Sequence, residues 1–389
     1  MKIFLISLII VASRGALAQF VSIPDPNFKA YCVAEFDING DGEISSSEAQ
    51  IPVQINCSRQ GIGDLTGIRS FINLETLFCS ENQLIDLNLK GLSHLAWVYC
   101  QKNQLARIDL TNLASLTHLY CSENNLKAID LSGLNSLRIL TCSYNQILSL
   151  NLTDLLALEE LSCTNNQLTD LVLSGNRELN YVNCSFNAIS SIDLSGLNRL
   201  EQLACYFNRL IELDVSGLSN LQYLYCDYNQ LTVLDVRMLS NLRELDCYHN
   251  RLTSLWVAGL INLRVLNAYY NHLTTIDLSG LGQLNEIQVD HNFLIHIDVS
   301  GTTNLQWLYC DHNLLSFLDL SALFNLSGLD ASRNWLEVDS CPSLVGYGSW
   351  NYDQGVLNLQ LGNWPQADWL ADAISEVTTP PHYTLPCGP

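Results

Sequence analysis

The sequence has little positive charge. Its 389 residues include 18 lysines and arginines against 39 aspartates and glutamates, which gives a formal net charge of −21. This imbalance argues against nucleic acid and anionic membrane surfaces as partners, because both carry negative charge themselves. It favours solubility outside the cell and attraction to cationic partners.

Long apolar runs are also scarce, and the one that fits a targeting segment lies at the N-terminus. Lys2 precedes the largely apolar residues 3–12, and Ala16-Leu17-Ala18 fits a cleavage site. This order is typical of a signal peptide, so we predict that residues 1–18 are removed after Ala18. The product is then secreted, extracellular or at the cell surface. The apolar stretch is too short to span a membrane, and no later segment is long enough.

Catalytic signatures are missing. The sequence contains no H-E-x-x-H, no G-x-S-x-G and no phosphate-binding loop. Gly61, Gly63 and Gly67 have part of the spacing of a dinucleotide motif but lack the β-α-β unit that it requires. Asp290 and Asp311 are expected ~5 Å apart on neighbouring strands, a separation that retaining glycosidases use. An open, flat sheet neither encloses a sugar nor desolvates a general acid, so we expect no enzymatic activity.

Cysteine, by contrast, is abundant and periodic. From Cys79 onward, a cysteine or a small apolar residue recurs every 21 residues. The cysteines are Cys79, Cys100, Cys121, Cys142, Cys163, Cys184, Cys205, Cys226, Cys247 and Cys310, and the replacements are Ala268, Val289 and Ala331. A period this strict indicates one structural unit per repeat.

The full repeat reads L-x-x-L-x-C-x-x-N-x-L-x-x-L-D-L-S-G-L and is complete over residues 116–134. Its asparagine column runs through thirteen repeats, from Asn82 to Asn334. This pattern resembles the leucine-rich repeat family over roughly residues 51–339. The cysteine and the 21-residue period resemble the cysteine-ladder repeats of secreted bacterial proteins, internalin-like ones among them. The resemblance implies a solenoid with one short parallel strand per turn and a ligand-binding face, but no particular ligand.

The residues themselves predict a repeat solenoid of about fourteen turns. Residues 119–122 alternate apolar and polar, as a half-buried strand does. A repeat of 21 residues is too short for a strand, a helix and two turns. We therefore expect a parallel β-sheet on one face and short extended or turn-like return segments, with Gly133 at positive φ. A buried asparagine column requires hydrogen bonds to the backbone of its own and adjacent turns.

The in-register stacking of the strands also predicts whether the cysteines form disulfides. In-register strands hold equivalent Cβ atoms ~4.8 Å apart, beyond the roughly 3.5–4.5 Å of a disulfide. The ladder cysteines are therefore predicted to be free, buried packing residues. Cys341 and Cys387 lie outside the repeats and could pair, whereas Cys32 has no obvious partner. The repeated aspartate of L-D-L is predicted to form a solvated outer column.

We divide the chain into a signal peptide (1–18), an N-terminal cap (19–50), the repeats (51–340) and a C-terminal cap (341–389). The N-terminal cap contains a segment that resembles a lone, dockerin-like EF-hand loop, with Gly42 at the sharp turn and Pro52 cutting short the following helix. The resemblance implies one structural Ca²⁺ that stiffens the cap. Its predicted ligands are Asp37, Asn39, Asp41, the Glu43 carbonyl, Ser45 through water, and both carboxylate oxygens of Glu48.

Residues that flank the cysteine slot are expected to point outward and cover one surface. In the first repeats this surface is predicted to be mostly Ser, Thr, Gln and Tyr, whereas from Cys205 onward it becomes aromatic and acidic. The predicted ligand-binding face consists of Tyr206, Tyr223, Tyr225, Asp227, Tyr228, Asp246, Tyr248, His249, Tyr269, Tyr270, Asp290, His291, Trp307, Tyr309, Asp311 and His312. Exposed Tyr and Trp give binding area at low entropy cost. The alternative is that these rings only stabilise one another along the sheet.

These features favour a monomeric, exported binding protein that recognises a protein ligand or mediates adhesion. Two other hypotheses stay open: a glycan-binding module, indicated by aromatic rings beside carboxylates, and a surface or matrix scaffold without a specific ligand. A binding face is specialised along its length, whereas a scaffold is uniform. The aromatic change after Cys205 favours binding.

Overall fold

The structure is a computed structural model that describes residues 19–336 with their side chains and the backbone of residues 349–353 and 356–360. The predicted signal peptide, Cys341, Cys387 and most of the predicted C-terminal cap lie outside the described residues. Within that cap, Ser349–Asp353 and Val356–Gln360 form an antiparallel pair. Among the helices of the described part, none is both long and apolar enough to cross a membrane.

Fourteen strands of three residues each form one parallel sheet, with one strand per turn. Equivalent residues of consecutive turns lie opposite each other, such as Leu224 and Leu245. The predicted solenoid of about fourteen turns is confirmed. In chain order the strands are Gln54–Asn56, Thr76–Phe78, Trp97–Tyr99, His118–Tyr120, Ile139–Thr141, Glu160–Ser162, Tyr181–Asn183, Gln202–Ala204, Tyr223–Tyr225, Glu244–Asp246, Val265–Asn267, Glu286–Gln288, Trp307–Tyr309 and Gly328–Asp330.

The hydrophobic core lies behind this sheet. The middle residue of a strand points inward, so Leu224 is fully buried while its neighbours Tyr223 and Tyr225 stay partly exposed. Leucines of the return segments, such as Leu231 and Leu242, meet the strand residues from the other side and are also fully buried. Burial of each leucine side chain contributes roughly 1.5–3 kcal/mol to the stability of the folded state. Because one turn cannot enclose its own leucines, the core forms only when neighbouring turns stack.

The return segments are extended or tightly turned, as predicted. Three pairs of short parallel strands line this side of the solenoid: Asp86–Asn88 with Arg107–Asp109, Asp170–Val172 with Ser191–Asp193, and Val233–Asp235 with Ser254–Trp256. Where a repeat contains L-D-L-S, the aspartate begins the chain reversal: Asp130 Oδ1 accepts the N–H of Ser132 at 3.0 Å. Gly133 follows with φ 77°. Asp130 is exposed, as expected, and in addition it fixes the turn geometry.

The asparagine ladder joins each turn to the one before it. The Nδ2 atom of Asn145 donates to the carbonyls of Cys142 at 3.0 Å and Cys121 at 3.1 Å. Its Oδ1 atom accepts the N–H of Leu126 at 2.9 Å. The same three contacts recur along the column, for example at Asn229. The predicted hydrogen bonds to the asparagine's own turn and an adjacent turn are confirmed, and they satisfy a carboxamide that is almost fully buried.

The cysteine column lies beside this ladder, inside the core. All twelve cysteines of the described part are free and buried, including Cys32 beneath the first turn. Burial raises the pKa of the Cys142 and Cys184 thiols to about 12. The thiol of Cys121 donates to the Thr141 carbonyl of the next turn at 3.4 Å. A cysteine therefore packs as a small apolar residue and also gives a weak hydrogen bond between turns.

The N-terminal cap covers the open end of the core. Its helix, Pro26–Phe36, starts at Asp25, whose Oδ1 accepts the N–H groups of Asn27 and Phe28. Phe28 is fully buried, with its ring centroid 6.5 Å from that of Phe71 in the first turn. Asp25 Oδ2 also accepts the N–H of Gly63 at 2.8 Å, so one residue joins the helix to the repeats.

The cysteine column generates a prediction about packing. We expect Cys163→Ser to lower the free energy of unfolding by about 1–3 kcal/mol, because it places a more polar hydroxyl in the core. Cys163→Ala is the matched control and should cost less, since Ala268 and Ala331 occupy this column naturally. Urea unfolding measures both. An alanine variant as unstable as the serine variant would contradict the packing account.

Candidate functional site

The outward side of the parallel sheet forms a surface that we call the strand face. It is made of four positions in each turn: the first and third residues of the strand, and the two residues after the cysteine slot. Because all turns share one backbone path, each position forms a column along the solenoid with ~4.8 Å between turns. Most side chains of these columns are partly exposed, so the residues around the cysteine slot lie on the outward side of the sheet.

The most continuous column is the second residue after the cysteine slot. Seven aromatic rings, which we call the ring column, stack face to face in consecutive turns. Their centroids are 3.9–4.6 Å apart, and successive ring planes differ by 8–19°. The ring column consists of Phe186, Phe207, Tyr228, His249, Tyr270, His291 and His312.

The backbone at this column explains the alignment of the rings. All seven residues have φ between 49° and 54°, in the left-handed region, and each directly precedes a ladder asparagine. A non-glycine residue in this conformation costs roughly 1–2 kcal/mol, so the asparagine contacts must hold it there. The conformation does not require an aromatic ring, because Glu81, Lys102 and Asn165 occupy the same column with φ 55°, 57° and 53°.

A second aromatic column lies beside the first, one residue after the cysteine slot. The rings of Tyr248 and Tyr269 stack with centroids 4.3 Å apart. Their edges meet the ring column: Tyr248 lies 5.6 Å from Tyr228, and Tyr269 lies 5.8 Å from His249. These rings form a broad, partly exposed aromatic surface, in which each pair adds about 0.5–1.5 kcal/mol.

Carboxylates lie between and behind these rings. Asp227 is only 3% exposed, and it accepts a hydrogen bond from the Tyr248 hydroxyl. Asp227 therefore belongs to the strand face but is not exposed, because Tyr248 rather than solvent satisfies its carboxylate. Burial raises the pKa of Asp227 to about 6 and that of Asp246 to about 6. Asp246 Oδ1 accepts a hydrogen bond from Asn267 at 2.6 Å.

Two aspartate–histidine pairs occupy neighbouring turns at the C-terminal end of the ring column. Asp290 Oδ2 lies 2.9 Å from His291 Nδ1, and Asp311 Oδ2 lies 2.6 Å from His312 Nδ1. Burial raises the pKa of Asp290, and the neighbouring Asp311 adds to that rise. The column therefore ends in a small group of charged and titratable side chains.

Four tyrosine and tryptophan residues of the predicted face lie on the strands themselves and are not brought together. Tyr223 and Tyr225 lie on one strand, and Trp307 and Tyr309 lie four turns further along. Polar residues, among them Asn267 and Gln288, occupy the turns between them. Tyr223 and Tyr225 therefore lie in the turn of the third ring of the ring column, and Trp307 and Tyr309 lie in the turn of the seventh, so they do not form a continuous surface of their own.

Sequence reasoning missed some aromatic residues. Phe186 and Phe207 start the ring column, and their place in the repeat, two residues after the cysteine, was the available signal. In the first repeats, where Ser, Thr, Gln and Tyr are expected to predominate, the strand face also carries Phe78, Trp97 and His118. A separate stack, which we call the first aromatic patch, covers the strands there with centroid separations of 3.4–4.6 Å. It consists of Phe78, Tyr99 and Tyr120 in one column and Trp97 with His118 in another.

The polar residues that separate the patch from the ring column are more buried than the sequence suggests. Ser143 is 7% exposed, and its hydroxyl hydrogen-bonds that of Ser162 at 2.9 Å. Ser185 is fully buried. These serines are part of the packed surface, so their substitution would not be a suitable control for substitution of the exposed rings. Tyr144 is a suitable control. It is 59% exposed, has φ 54° and occupies the same position in its repeat as the ring-column residues, without stacking on them.

The EF-hand-like loop folds around its own carboxylates. Asp37 accepts the N–H groups of Gly40 at 2.7 Å and Gly42 at 2.8 Å. Asn39 Oδ1 accepts from Asp41, and Asp41 Oδ1 accepts from Glu43. Gly40 and Gly42 have φ 73° and 82°. Oxygen atoms of loop positions 1, 3 and 5 are thus turned inward, as calcium ligands of this loop must be.

Glu48 closes the loop from the opposite side. Its Oε1 atom accepts the N–H of Ile38 at 3.0 Å, and its Oε2 atom accepts the N–H of Ser45 at 2.8 Å. The Ser45 hydroxyl bond and these backbone contacts lower the pKa of Glu48. Glu43 points its side chain to Lys29 at 2.5 Å, which leaves its carbonyl as the only candidate ligand atom of that residue. The all-oxygen donor set fits Ca²⁺.

The fold and this surface can be compared with known proteins. The family described as Leucine Rich repeats (2 copies) matches residues 219–258, and the one described as Leucine Rich Repeat matches residues 262–284. The search of curated protein sequences finds no match. Among solved structures, the functional domain of InlJ from Listeria monocytogenes, which includes a cysteine ladder, is 31% identical with a TM-score of 0.75. That match covers 82% of this chain and 72% of the InlJ domain.

More distant structures show the fold alone. An internalin, InlF, from Listeria monocytogenes is 23% identical with a TM-score of 0.58, and the match covers 82% of this chain and 98% of that one. The Arabidopsis receptor kinase HAESA, in complex with the peptide hormone IDA and the co-receptor SERK1, is 21% identical with a TM-score of 0.55. That match covers 68% of this chain and 50% of the kinase chain.

The chain therefore belongs to the leucine-rich repeat family. Within this family it is similar to the cysteine-ladder domain of InlJ, in agreement with its own buried cysteine column. Membership of this family implies a general role in protein binding or adhesion, on a fold that serves as an interaction scaffold.

The buried aspartates beside the rings and the exposed aspartates of the return segments lead to a prediction about how stability depends on pH. The pKa of Asp227 and Asp246 is raised in the folded state, so the native protein binds more protons than the unfolded chain between about pH 4 and 6. Asp227 and Asp246 should therefore raise the free energy of unfolding as pH falls from 7 to 5, by about 1 kcal/mol for Asp227 alone, whereas His118 and His249, whose pKa values burial lowers, act in the opposite direction. Urea unfolding at the two pH values measures this rise.

Below that pH range, the free energy of unfolding should fall as the pH is lowered further. The turn aspartates, such as Asp130 and Asp214, have lowered pKa values because the N–H and hydroxyl groups of the following serines bind them. Their contribution to stability is lost as pH falls through those lowered values. Asp227→Asn should reduce the rise between pH 7 and 5, whereas Asp214→Asn, the control with the same charge change, should leave it intact. Equal behaviour of the two variants would contradict the assignment.

Proposed function

We propose that this protein is an exported recognition or adhesion protein that binds a protein ligand on its strand face, centred on the ring column. The ring column carries the proposal. Seven rings occupy a position where the fold equally accepts glutamate, lysine or asparagine, so the fold does not account for them. Exposed aromatic residues with two side-chain torsions give large contact area at low entropy cost, which is typical of binding hot spots.

The comparisons support the general part of this proposal. HAESA, which shares the fold, was solved with a peptide hormone and a co-receptor, and InlJ and InlF are Listeria monocytogenes proteins of the internalin kind. Internalin-like proteins are typically secreted or held at the cell surface, in agreement with the predicted signal peptide. We infer the same location for this chain.

The charges of the strand face favour a basic partner. The aspartates behind the rings include Asp227, Asp246, Asp290 and Asp311, and the whole chain carries a net charge of −21. Aromatic rings would supply most of the affinity, and the carboxylates would mainly raise the association rate and select cationic ligands. Binding should accordingly weaken and slow as ionic strength rises.

Two alternatives have observations of their own. Stacked rings beside carboxylates also favour a glycan ligand, and the first aromatic patch, with Trp97 37% exposed, is the better place for one. The third hypothesis is a scaffold in which the rings only stabilise the solenoid. Because all seven rings of the ring column touch a neighbouring ring, that stabilisation contributes whether or not a ligand binds.

An array experiment separates these possibilities. The mature protein is applied to an array of purified extracellular proteins and to a glycan array, alongside a Phe207→Asn, Tyr228→Asn, Tyr270→Asn triple variant. Asparagine is chosen because Asn165 occupies this column with the same left-handed backbone. We expect protein binding that falls at least tenfold in the triple variant.

The matched control is Tyr144→Asn, which removes an exposed ring from the same column outside the stack. It should bind like the unmodified protein. Binding to glycans alone would favour the second hypothesis. Absence of binding on both arrays, together with a loss of stability in the triple variant, would favour the scaffold.

We further propose that the loop from Asp37 to Glu48 holds one structural Ca²⁺. Asp37, Asn39, Asp41, the Glu43 carbonyl and both Glu48 oxygens would hold the ion, with Ser45 acting through water. The ion would replace the backbone N–H groups that now neutralise Asp37 and Glu48. Through Ile44, which is buried and whose carbonyl accepts the N–H of Val21 at 2.7 Å, it would stiffen the cap.

The calcium proposal predicts a thermal shift confined to the N-terminal cap. Calcium should raise the melting temperature of the first turns, and Glu48→Gln should abolish this gain because it removes the bidentate ligand. Glu43→Gln is the control and should retain the rise in melting temperature with calcium, because only the backbone carbonyl of Glu43 would bind the ion. Identical melting of the unmodified protein in calcium and in chelator would rule out the site.

A further inference from the structure

The C-terminal end of the ring column brings together a second set of donor atoms. One ligand atom each from His291, Asp311 and His312 lies within 4.8 Å of the other two. In the described part of the chain this is the only group of three or more His, Cys, Asp or Glu residues that converges in this way. The three side chains come from two consecutive turns, so the solenoid register itself sets their spacing.

The hydrogen bonds around this group fix the imidazole orientation. His291 Nδ1 lies 2.9 Å from Asp290 Oδ2, and His312 Nδ1 lies 2.6 Å from Asp311 Oδ2. An ionised carboxylate accepts, so each Nδ1 is the donor and each Nε2 keeps its lone pair. Among the described residues, neither Nε2 atom has a hydrogen-bond partner. An orienting carboxylate behind an imidazole is the usual arrangement around histidine metal ligands.

We propose that His291, Asp311 and His312 form a binding site for a divalent transition metal of the Zn²⁺ class, with Asp290 as the residue that orients His291. Two imidazoles and one carboxylate suit Zn²⁺ and also accept Ni²⁺, whereas Ca²⁺ and Mg²⁺ require oxygen ligands. Three protein ligands leave at least one coordination position open to water or to a side chain of a partner.

The site is accessible to solvent, and its side chains must rotate to enclose an ion. The histidine side chains are 28% and 31% exposed, and the aspartate side chains 14–16% exposed, so an ion can enter from solvent. Zinc lies about 2.0–2.2 Å from nitrogen and oxygen ligands, which brings ligand atoms to roughly 3.5 Å from one another. Metal binding therefore requires the two imidazole rings, now stacked with centroids 3.9 Å apart, to rotate until their lone pairs converge, and Asp311 to exchange its hydrogen bond with His312 for the ion.

The surrounding charges favour a cation. Asp290, Asp311 and the partly buried Asp330 lie on three consecutive turns. Arg333, which follows His312 in the same column one turn later, is an opposing charge at the end of the group. Three carboxylates against one guanidinium leave the site negative before the metal binds, which strengthens cation binding.

Isothermal titration calorimetry with ZnCl₂ and with NiCl₂ tests the proposal. The protein carries no polyhistidine tag, and calcium is present in excess so that the N-terminal loop does not contribute. We expect one Zn²⁺ per chain and at least a tenfold loss of affinity in His291→Asn, His312→Asn. Asparagine is again compatible with the left-handed backbone at this column. The far-ultraviolet circular dichroism spectrum confirms that the variant is folded.

His249→Asn is the matched control, because His249 belongs to the same column and stacks on Tyr270 but lies two turns from His291. It should bind zinc like the unmodified protein. A second readout uses Co²⁺, whose visible absorption should appear in the unmodified protein and disappear in the double variant. No binding by the unmodified protein, or equal affinity in the double variant, would overturn the site. Equal loss in His249→Asn would place the metal elsewhere on the column.

Discussion

The structure depends on one buried carboxamide per turn. Each ladder asparagine binds carbonyls of its own and the preceding turn and accepts an N–H from the preceding turn, as Asn145 does with Cys142, Cys121 and Leu126. These contacts fix the register of neighbouring turns and the left-handed residue before each asparagine. Losing one partner would leave a buried amide unsatisfied, at a cost of about 1–3 kcal/mol. The alignment of the strands, of the cysteine column and of the ring column follows from this repeated contact, whereas the aromatic character of the ring column does not.

Because the repeats share one backbone, the same residue type serves different purposes at different positions. Aspartates at the turns, such as Asp130, are exposed and bind the following N–H, which lowers their pKa. Aspartates behind the rings, such as Asp227, are buried, which raises their pKa. The turn aspartates stabilise the fold in their charged form. The charged form of the buried aspartates destabilises the fold, so we infer that they are present for binding. Burial, set by position in the repeat, decides between the two roles.

Much of the fold could be predicted from the sequence because it depends on spacing. The 21-residue period fixes the parallel register, the free cysteines and the asparagine ladder, and all three are confirmed. The surface was harder to predict, since its properties depend on side-chain direction. The repeat pattern does not reveal that Tyr248 covers Asp227. Nor does it reveal that Trp97 stacks on His118 with centroids 3.4 Å apart. The convergence of His291, Asp311 and His312 likewise needs the side-chain rotations that only the structure provides.

The ring column also bears on how such a surface changes over generations. Every ring occupies the same place in a unit of 21 residues, and the unit begins and ends with the same backbone conformation. A duplication or deletion of one unit in the gene would therefore add or remove one ring without shifting any other out of register. The length of the aromatic stack can vary in whole steps of ~4.8 Å while its surroundings stay intact. Single substitutions then adjust individual positions, as the change from Asn165 to Phe186 does between adjacent turns.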